Sequence, residues 1–200
     1  AQPLKEDCLL TDSLEPTNEW YAIAKITGVK ACQSIRKQYQ KEYVSLMPTN
    51  LYGSFDNFDL ESSHVLPAML RKFHEAKINN NSDVTLWGSG TPMREFLFVD
   101  DMAAAVIHAL ENNLPEDLYN IGTGKDITIK ELAETIQKVI GHQGKILWDA
   151  SKPDGTPRKI MDVSKMKEIG WRYSTELEEG IKKTYTWFLK NMDSLKEIKL

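Results

Sequence analysis

The chain has 200 residues, of which 41% are hydrophobic and 27% are charged, which is enough to bury a core and build one or two domains. Its formal net charge of −4 argues against a general partner for nucleic acid or anionic membranes, since both require clustered basic surface. No apolar run approaches the roughly 20 residues that cross a bilayer, and the start AQPLKEDC has no signal-peptide pattern. We therefore expect a cytoplasmic protein.

The two cysteines, Cys8 and Cys32, are predicted to be reduced thiols. Two residues are too few for a disulfide framework, and their spacing is not that of a metal site. No metal is expected.

The first third of the chain predicts a loop, a helix and a strand. Residues 1–19 end in the turn formers of LEPTNE and predict a loop. From Trp20 to about Gln40, apolar residues recur every third position with alanines between them, which predicts a helix suited to close packing. The segment YVSLMPTNLYG at 43–53 predicts a buried strand that runs into a loop.

The rest of the chain alternates helices and strands. A helix is predicted from about Ser62 with a serine cap, and Pro67 fits only its first turn or a kink. Further strands are predicted at 84–87, 94–99, 117–121 and 145–149. Further helices are predicted at 100–113, 127–141 with a Thr128–Glu131 capping box, 162–171, and 174–192 with a capping-type start. This alternation indicates the α/β class.

The stretch YAIAK places Tyr21 and Lys25 four residues apart on the predicted first helix. Residues at this spacing share one helix face, so the ammonium can lie beside the phenol oxygen. A neighbouring positive charge favours phenolate, and such a tyrosine can give a proton to a developing alkoxide. The bare pattern is also common by chance, and on its own it describes two amphipathic residues on an ordinary helix.

The surroundings of this pair resemble a known family. The blocks EPTNEWYAIAKITGVKACQSIRKQY, SLMPTNLYG, WGSGTPMREFLFVDDMAAAVIHAL, YNIGTG and SKPDGTPRKIMDVSKMKEIGW are similar, in order and spacing, to the extended short-chain dehydrogenase/reductase superfamily. Within it the chain most resembles the GDP-L-fucose synthase family, the GDP-4-keto-6-deoxy-D-mannose 3,5-epimerase-4-reductases. The resemblance covers nearly all of the chain.

The resemblance implies roles in reduction and epimerisation. Tyr21 would give a proton to the C4 oxygen while NADPH delivers hydride, and Lys25 would favour the phenolate and hold the nicotinamide ribose. His64 would be an acid/base of the epimerisation at C3 and C5, although a histidine at a helix start can also be merely solvated. The nicotinamide end of the cofactor would be bound by Tyr21, Lys25, His64, Pro48, Thr49, Asn50 and Leu51. A plain turn after a strand is the alternative for the last four.

The resemblance also implies residues that hold the GDP-sugar. These are Lys72, Trp87, Arg94 and Asp154. Cations suit a nucleotide diphosphate, and Arg offers a bidentate fork to its oxygens. Core burial is an alternative for Trp87, and a turn at Pro153 is one for Asp154. Arg71 would point about 100° away from Lys72 and is not expected to share the ligand.

Several residues fall outside this assignment. His74, His108 and His142 have no motif support and are expected at the surface or in packing. Trp20, Ser54 and Phe55 stand where the family often has Pro, Pro and His.

The implied fold is the latter part of a Rossmann-type NAD(P)-binding domain plus a smaller α/β substrate-binding domain. Residues 1–60 would belong to the Rossmann-type part, with about 95–125 returning to it, and 61–200 would be mainly substrate-binding. A homodimer built on the Tyr21 helix is expected. Two alternatives remain: another nucleotide-sugar epimerase or dehydratase, and a non-catalytic nucleotide-sugar-binding or dimerisation fragment.

The family's GxxGxxG phosphate turn is not found, because GSGTP at 88–92 and GTGKD at 122–126 have other spacings. The family's catalytic serine and cysteine would precede Ala1, so Cys8 is not that cysteine. The chain thus resembles the C-terminal portion of such an enzyme. We expect it, on its own, to bind NADPH weakly and to be inactive.

Overall fold

The structure is a computed structural model that describes residues 2–80 and 82–195. Its α-helices are α1 (Glu19–Tyr39), α2 (Val65–Ile78), α3 (Val99–Glu111), α4 (Ile129–Ile140), α5 (Ser164–Glu168) and α6 (Leu177–Asn191). Its strands are β1 (Ser45–Pro48), β2 (Asn50–Tyr52), β3 (Val84–Trp87), β4 (Met93–Phe98), β5 (Leu118–Ile121), β6 (Asp126–Thr128), β7 (Ile146–Asp149) and β8 (Arg158–Lys159). The α/β class is confirmed.

Most strand pairs are parallel. β1 pairs with β5, β2 with β4, and β3 with β7, each in parallel. β4 also pairs with β6 antiparallel and with β8 in parallel. It therefore has three partner strands: β2, β6 and β8. Because parallel partners must be joined by long crossovers, these pairs bring together residues far apart in the chain.

Two predicted helix starts are wrong. α2 begins at Val65, with His64 as an N-cap that makes no side-chain cap bond. Ser62 lies two residues before this N-cap and belongs to the preceding turn, where its N–H and hydroxyl both donate to the Asp59 carboxylate at 2.8 Å. Pro67 lies in the first turn, where proline is tolerated.

The start of α6 also lacks the predicted capping. The helix begins at Leu177, and its N-cap makes no side-chain bond. The hydroxyl of Ser174 and the N–H of Thr175 donate instead to the buried Asp101 in the first turn of α3, at 2.7 and 3.0 Å. The residues before α6 are thus fixed by the Asp101 carboxylate, which is distant in sequence, and not by a capping side chain of the helix itself.

The helix predicted at 127–141 begins two residues later, because 126–128 forms β6. Its capping box is confirmed: the Thr128 hydroxyl accepts from the Glu131 N–H at 3.1 Å, and the Glu131 carboxylate accepts from the Thr128 N–H at 2.8 Å. Neither β6 nor β8 was predicted. Both are too short to show a period in sequence, and both form only by pairing with β4.

The predicted N-terminal loop contains ordered contacts. Leu4 donates its N–H to the carbonyl of Ile160 at 2.8 Å and accepts from the N–H of Asp162 at 2.8 Å. Glu6 is buried, and its carboxylate accepts from the N–H of Asn120 at 2.9 Å. Short 3-10 helices follow at Glu6–Cys8 and Pro16–Asn18. The segment therefore packs on β5 and on the chain beyond β8.

Two clusters of buried apolar residues lie on opposite sides of β4. Phe96 and Phe98 belong to the first cluster, and Leu97 between them belongs to the second. This follows from the alternation of side chains along a strand. The first cluster contains Tyr52, Phe58 and the apolar faces of α2, α4 and α6. The second contains Ala105, Leu114, Tyr119, Ile121, Met166 and Trp171.

The three histidines without motif support make structural contacts. His74 is buried, and its Nδ1 lies 2.9 Å from the Tyr185 hydroxyl. Burial lowers the pKa of His74 from its usual value. His142 is buried with Nε2 at 2.8 Å from the carbonyl oxygen of Ser82, and His108 is half-buried against a backbone carbonyl.

Gly180 of α6 faces the buried ring of Tyr52 on β2. Because glycine has no side chain, the helix can approach this ring closely. A methyl group added at this glycine would overlap the Tyr52 hydroxyl. Gly28 in α1 is the opposite case, because a methyl group there meets nothing within 4 Å. Gly180 is buried and Gly28 is exposed, so a methyl group is expected to clash only at Gly180.

We expect Gly180→Ala to lower the free energy of unfolding by about 1–3 kcal/mol through overpacking, measured by urea denaturation. Gly28→Ala is the matched control and should be neutral or stabilising by up to about 1 kcal/mol, since Ala favours helix. Adding Tyr52→Phe to Gly180→Ala should recover part of the loss. Equal effects of the two Gly→Ala changes would contradict this interpretation.

Candidate active site

Tyr21 and Lys25 lie together on an open face of α1. The Lys25 Nζ atom is 5.4 Å from the centroid of the Tyr21 ring, and the Tyr21 side chain is 62% exposed. The pair thus shares one helix face, and the phenol is not enclosed. The shared face is needed if the ammonium is to act on the hydroxyl, and the exposure is needed if a ligand is to reach the hydroxyl.

The rest of α1 explains how the pair is presented. None of its 21 residues is buried. The helix is attached mainly at its C-terminal half, where the Arg36 guanidinium donates to the carbonyls of Leu114 and Pro115 at 2.8 and 3.1 Å. The Gln33 amide donates to the Asp117 carboxylate at 2.9 Å. In the N-terminal half, Ala22, Ile26 and Val29 form a half-buried stripe, whereas the face that carries Tyr21 and Lys25 is exposed.

The segment 48–51 lies where β1 ends and β2 begins. Thr49 donates its N–H to the carbonyl of Ile121 at 2.9 Å, and the Asn50 side-chain amide donates to the carbonyl of Glu95 at 2.7 Å. Pro48 and Asn50 are exposed, whereas Leu51 packs against the second cluster. The Leu51 side chain is thus partly covered by this cluster.

Glu95 is a buried carboxyl group beside this segment that the sequence analysis did not identify. It has 0% exposure. One of its oxygens accepts from the N–H of Gly124 at 2.8 Å and from the Thr123 hydroxyl at 3.4 Å, and the other accepts from the N–H of Met161 at 2.9 Å. A side chain at Gly122 would overlap this carboxylate. The alternation of REFLF placed Glu95 on β4, but its donors come from elsewhere in the chain.

His64 is exposed at the N-cap of α2, at the end of a loop that follows β2. The charge of His64 acts on the half-buried Asp56. Burial raises the pKa of Asp56, and the hydrogen bond from the Asn57 N–H together with the charge of His64 partly offsets that rise. His64 is thus open to a ligand.

Trp87 lies at the end of β3 with Lys72 of α2 beside it. The indole is 68% exposed, so core burial does not explain it. The Lys72 Nζ atom is 5.7 Å from the ring centroid. Arg71 instead pairs with Glu75 at 2.7 Å and donates to the carbonyl of Phe58, so it does not join Lys72.

Arg94 on β4 and Asp154 in the loop before β8 lie close to this region. The Arg94 guanidinium donates to the carbonyl of Thr156 at 2.6 Å, and burial lowers the pKa of Arg94 from its usual value. The Asp154 carboxylate accepts from the N–H and hydroxyl of Ser89 at 2.9 and 2.7 Å, and these bonds lower the pKa of Asp154. Gly88 has φ = 79° and lies against this carboxylate, where a side chain would overlap it.

The four predicted substrate residues therefore come together. Lys72 contacts Trp87, Gly88 follows Trp87 and contacts Asp154, and Arg94 binds the loop two residues beyond Asp154. Arg94 also adjoins Glu95, whose carbonyl holds Asn50. The predicted substrate and cofactor segments thus meet at β4. Within residues 2–80 and 82–195, the Tyr21 ring has its cation contact with Lys25 and no hydrogen bond to Lys72, Trp87, Arg94 or Asp154.

Comparison with known proteins shows the family of the chain. The model of the NAD dependent epimerase/dehydratase family matches residues 1–122. The chain belongs to this family.

Named relatives of this epimerase/dehydratase chain are similar over nearly its whole length. It is 57% identical to a GDP-L-fucose synthase from Escherichia coli (strain K12), over 96% of this chain and 63% of that protein. It is 54% identical to a probable GDP-L-fucose synthase 1 from Oryza sativa subsp. japonica, over 98% and 60%. A GDP-L-fucose synthetase from Naegleria fowleri, solved bound to NADP, has a TM-score of 0.90 at 28% identity, over 98% and 64%. The chain spans less than two thirds of the length of these relatives.

The residues at which this epimerase/dehydratase chain departs from the expected pattern are exposed or half-buried. Trp20 and Phe55 are 79% and 86% exposed. Phe55 has φ = 65°, and its ring centroid lies 5.0 Å from that of Trp187. Ser54 is half-buried beside it.

The part of the chain that the structure describes, residues 2–80 and 82–195, offers neither a metal site nor a membrane-spanning helix. No group of three or more His, Cys, Asp or Glu side chains in these ranges could hold a metal ion. None of the helices described in them is long and apolar enough to cross a membrane.

We expect Glu95→Gln to lower the free energy of unfolding by about 1–3 kcal/mol. Glutamine offers one acceptor oxygen, and its NH₂ group would face a buried donor that has lost its partner. Glu111→Gln, at the exposed end of α3, is the control and should change stability by less than about 0.5 kcal/mol. Chemical denaturation measures both. A Glu95→Gln protein as stable as the control would contradict the role given to these bonds.

Proposed function

We propose that this chain carries the catalytic and GDP-sugar-binding residues of an NADPH-dependent enzyme that epimerises GDP-4-keto-6-deoxy-D-mannose at C3 and C5 and reduces it at C4 to GDP-L-fucose. The observation that carries the proposal is the meeting of Lys72, Trp87, Arg94 and Asp154 in a chain that is 57% identical to a GDP-L-fucose synthase. The open Tyr21–Lys25 pair supplies the chemistry of reduction.

Tyr21 is the proton donor of the proposed reduction. NADPH, when bound, supplies hydride to the carbonyl carbon. The negative charge that develops on the C4 oxygen must be quenched, and the exposed phenol of Tyr21 can give it a proton. The Lys25 ammonium, 5.4 Å from the ring, stabilises the phenolate that remains.

The chain's own residues fit the nicotinamide end of such a cofactor. Lys25 is exposed and can donate to ribose hydroxyls, while Pro48 and Asn50 present an open edge beside β1. Thr49 and Asn50 are held by hydrogen bonds to β5 and β4, so this edge is fixed before binding. The NADP bound in the solved relative supports the same cofactor.

His64 is the proposed acid/base of epimerisation. A ketone at C4 acidifies the hydrogens at C3 and C5, so a base can remove one and an acid on the opposite face can return it. A histidine is suited to both tasks near neutral pH. Its exposed position at the start of α2 leaves both ring nitrogens accessible to a ligand.

The GDP-sugar is proposed to lie along β3, α2 and the loop before β8. Lys72 and Arg94 offer positive charge to the diphosphate, and Trp87 offers an exposed aromatic surface. Asp154, ionised and fixed by Ser89, can accept hydrogen bonds from hydroxyl groups. The two apolar clusters on either side of β4 support a division into a Rossmann-type part and a substrate-binding part.

The proposal includes a cytoplasmic homodimer. Ile23 is 43% exposed and lies about 200° around α1 from Tyr21, so it is free to contact a second copy while the Tyr21 face serves the reaction. Small residues such as Ala24 and Ala31 permit close helix approach. Cys8 and Cys32 are free thiols, as in proteins of a reducing compartment.

In the enzyme that carries this chain, Tyr21→Phe should lower keto-sugar-dependent NADPH oxidation by about 10²–10⁴-fold, because the proton donor is lost. Exchange of the C3 and C5 hydrogens with deuterated solvent, followed by mass spectrometry, should persist. Tyr39→Phe changes a tyrosine of the same helix with 60% exposure and should leave both rates unchanged. If exchange stopped together with reduction, the separate roles of Tyr21 and His64 would be wrong.

Ile23→Glu should convert the proposed dimer into monomers in sedimentation velocity, because it places a charge in an apolar helix contact. Leu147→Glu on β7, at 44% exposure, is the matched control and should leave the mass unchanged. A wild-type monomer, or a dimer insensitive to Ile23→Glu, would remove α1 from the interface.

A further inference from the structure

Trp87 has a second cation beside its ring. The Lys152 Nζ atom lies 5.4 Å from the ring centroid, and the Lys72 Nζ atom lies 5.7 Å from it. Lys72 belongs to α2, whereas Lys152 follows β7, so two separate parts of the fold bring ammonium groups to one indole. The ring itself is 68% exposed.

Strand pairing fixes the position of Lys152. In the parallel pair β3–β7, Trp87 lies opposite Asp149, the last residue of β7. The chain then turns tightly: Lys152 donates its N–H to the carbonyl of Asp149 at 3.2 Å, and the Asp149 carboxylate accepts from the N–H of Ser151 at 3.0 Å. Lys152 is therefore returned to the Trp87 side by backbone geometry.

The cations around Trp87 and the loop before β8 differ in whether a carboxylate neutralises them. Arg158 is neutralised by Asp126 through two bonds of 2.6 and 3.1 Å. Among the residues that the structure describes, neither Lys72 nor Lys152 has a carboxylate oxygen within 4.0 Å of its ammonium. The charge of Asp149 acts on Lys152 but forms no ion pair with it. Two like charges beside one exposed ring make this surface locally positive, and an anion bound here would be attracted by both.

We propose that Lys152 is a further diphosphate-binding residue beside Lys72 and Arg94, and that Lys72 and Lys152 together bind the phosphates of a nucleoside diphosphate next to Trp87. The nature of the nucleotide rests on the proposed function, whereas the pairing of the two lysines does not. A diphosphate carries at least two negative charges, so two compact cations match it, and the indole offers a surface to the attached base or sugar. The other role open to Lys152 is a cation–π contact that only stabilises the free protein.

The test is isothermal titration calorimetry of the 200-residue chain with GDP at low salt. Lys152→Met keeps the apolar stem on Trp87 and removes the charge, and it should weaken GDP binding about tenfold. Lys145→Met, at an exposed lysine just before β7, is the matched control and should bind like the wild type. Added salt should weaken the wild type more than Lys152→Met, because one charge contact fewer is screened. Thermal unfolding checks that both variants are folded.

UDP and inorganic pyrophosphate separate this inference from the proposed function. If both bind as tightly as GDP and both lose about tenfold with Lys152→Met, the lysine pair stands and the GDP-sugar assignment fails. If GDP binds and Lys152→Met leaves its affinity unchanged within about twofold, Lys152 has only the cation–π role and the inference fails, while the proposed function is untouched. A wild-type chain that binds neither GDP nor pyrophosphate overturns the lysine pair as a diphosphate site.

Discussion

The Glu95 carboxylate accepts hydrogen bonds from Gly124 and Met161, which lie 29 and 66 positions further along the chain. A carboxyl group without solvent loses its water shell, so protein donors must replace it. These bonds fix the turn after β5 and the segment after β8 against β4. The carbonyl of the same residue accepts from Asn50, which fixes the segment between β1 and β2 as well. One residue thus joins four parts of the chain.

The position of β4 between two apolar clusters gives this arrangement its functional meaning. A strand with both faces buried cannot shift its register without exposing one set of side chains. Arg94 and Glu95 are therefore held at a constant place, with Asn50 on one side and the loop before β8 on the other. The segments proposed to bind cofactor and substrate both adjoin this strand. Binding groups on such a scaffold need little ordering when a ligand arrives.

Local patterns predicted what depends on local physics. The period of α1, the Thr128–Glu131 capping box and the Tyr21–Lys25 spacing all follow from residues within one or two helical turns, and each is found in the structure. The predicted start of α2 at Ser62 is wrong because Ser62 belongs to a turn closed by Asp59, and the helix begins only after His64. The capping of α6 failed because Asp101, distant in sequence, takes its donors.

The parts of the site that escaped prediction depend on long-range pairing. The roles of Lys152 and Glu95 become visible only once β3 has paired with β7 and Met161 has reached β4.

The exposure of Tyr21 and Trp87 sets these residues apart from the core aromatics. Large aromatic side chains gain most by burial, and Tyr52, Phe73 and Phe188 are buried accordingly. Tyr21 and Trp87 are not buried. One lysine ammonium lies about 5–6 Å from the centroid of the Tyr21 ring, and two lie at about that distance from the centroid of the Trp87 ring. A cation at an exposed ring contributes only about 0.5–1 kcal/mol, less than burial of the ring would. Exposure itself is shared by Trp20, Tyr39 and Phe55, so it does not single out a site. Among the exposed aromatic rings of residues 2–80 and 82–195, Tyr21 and Trp87 are the ones with a lysine ammonium beside them, and the proposed function uses both.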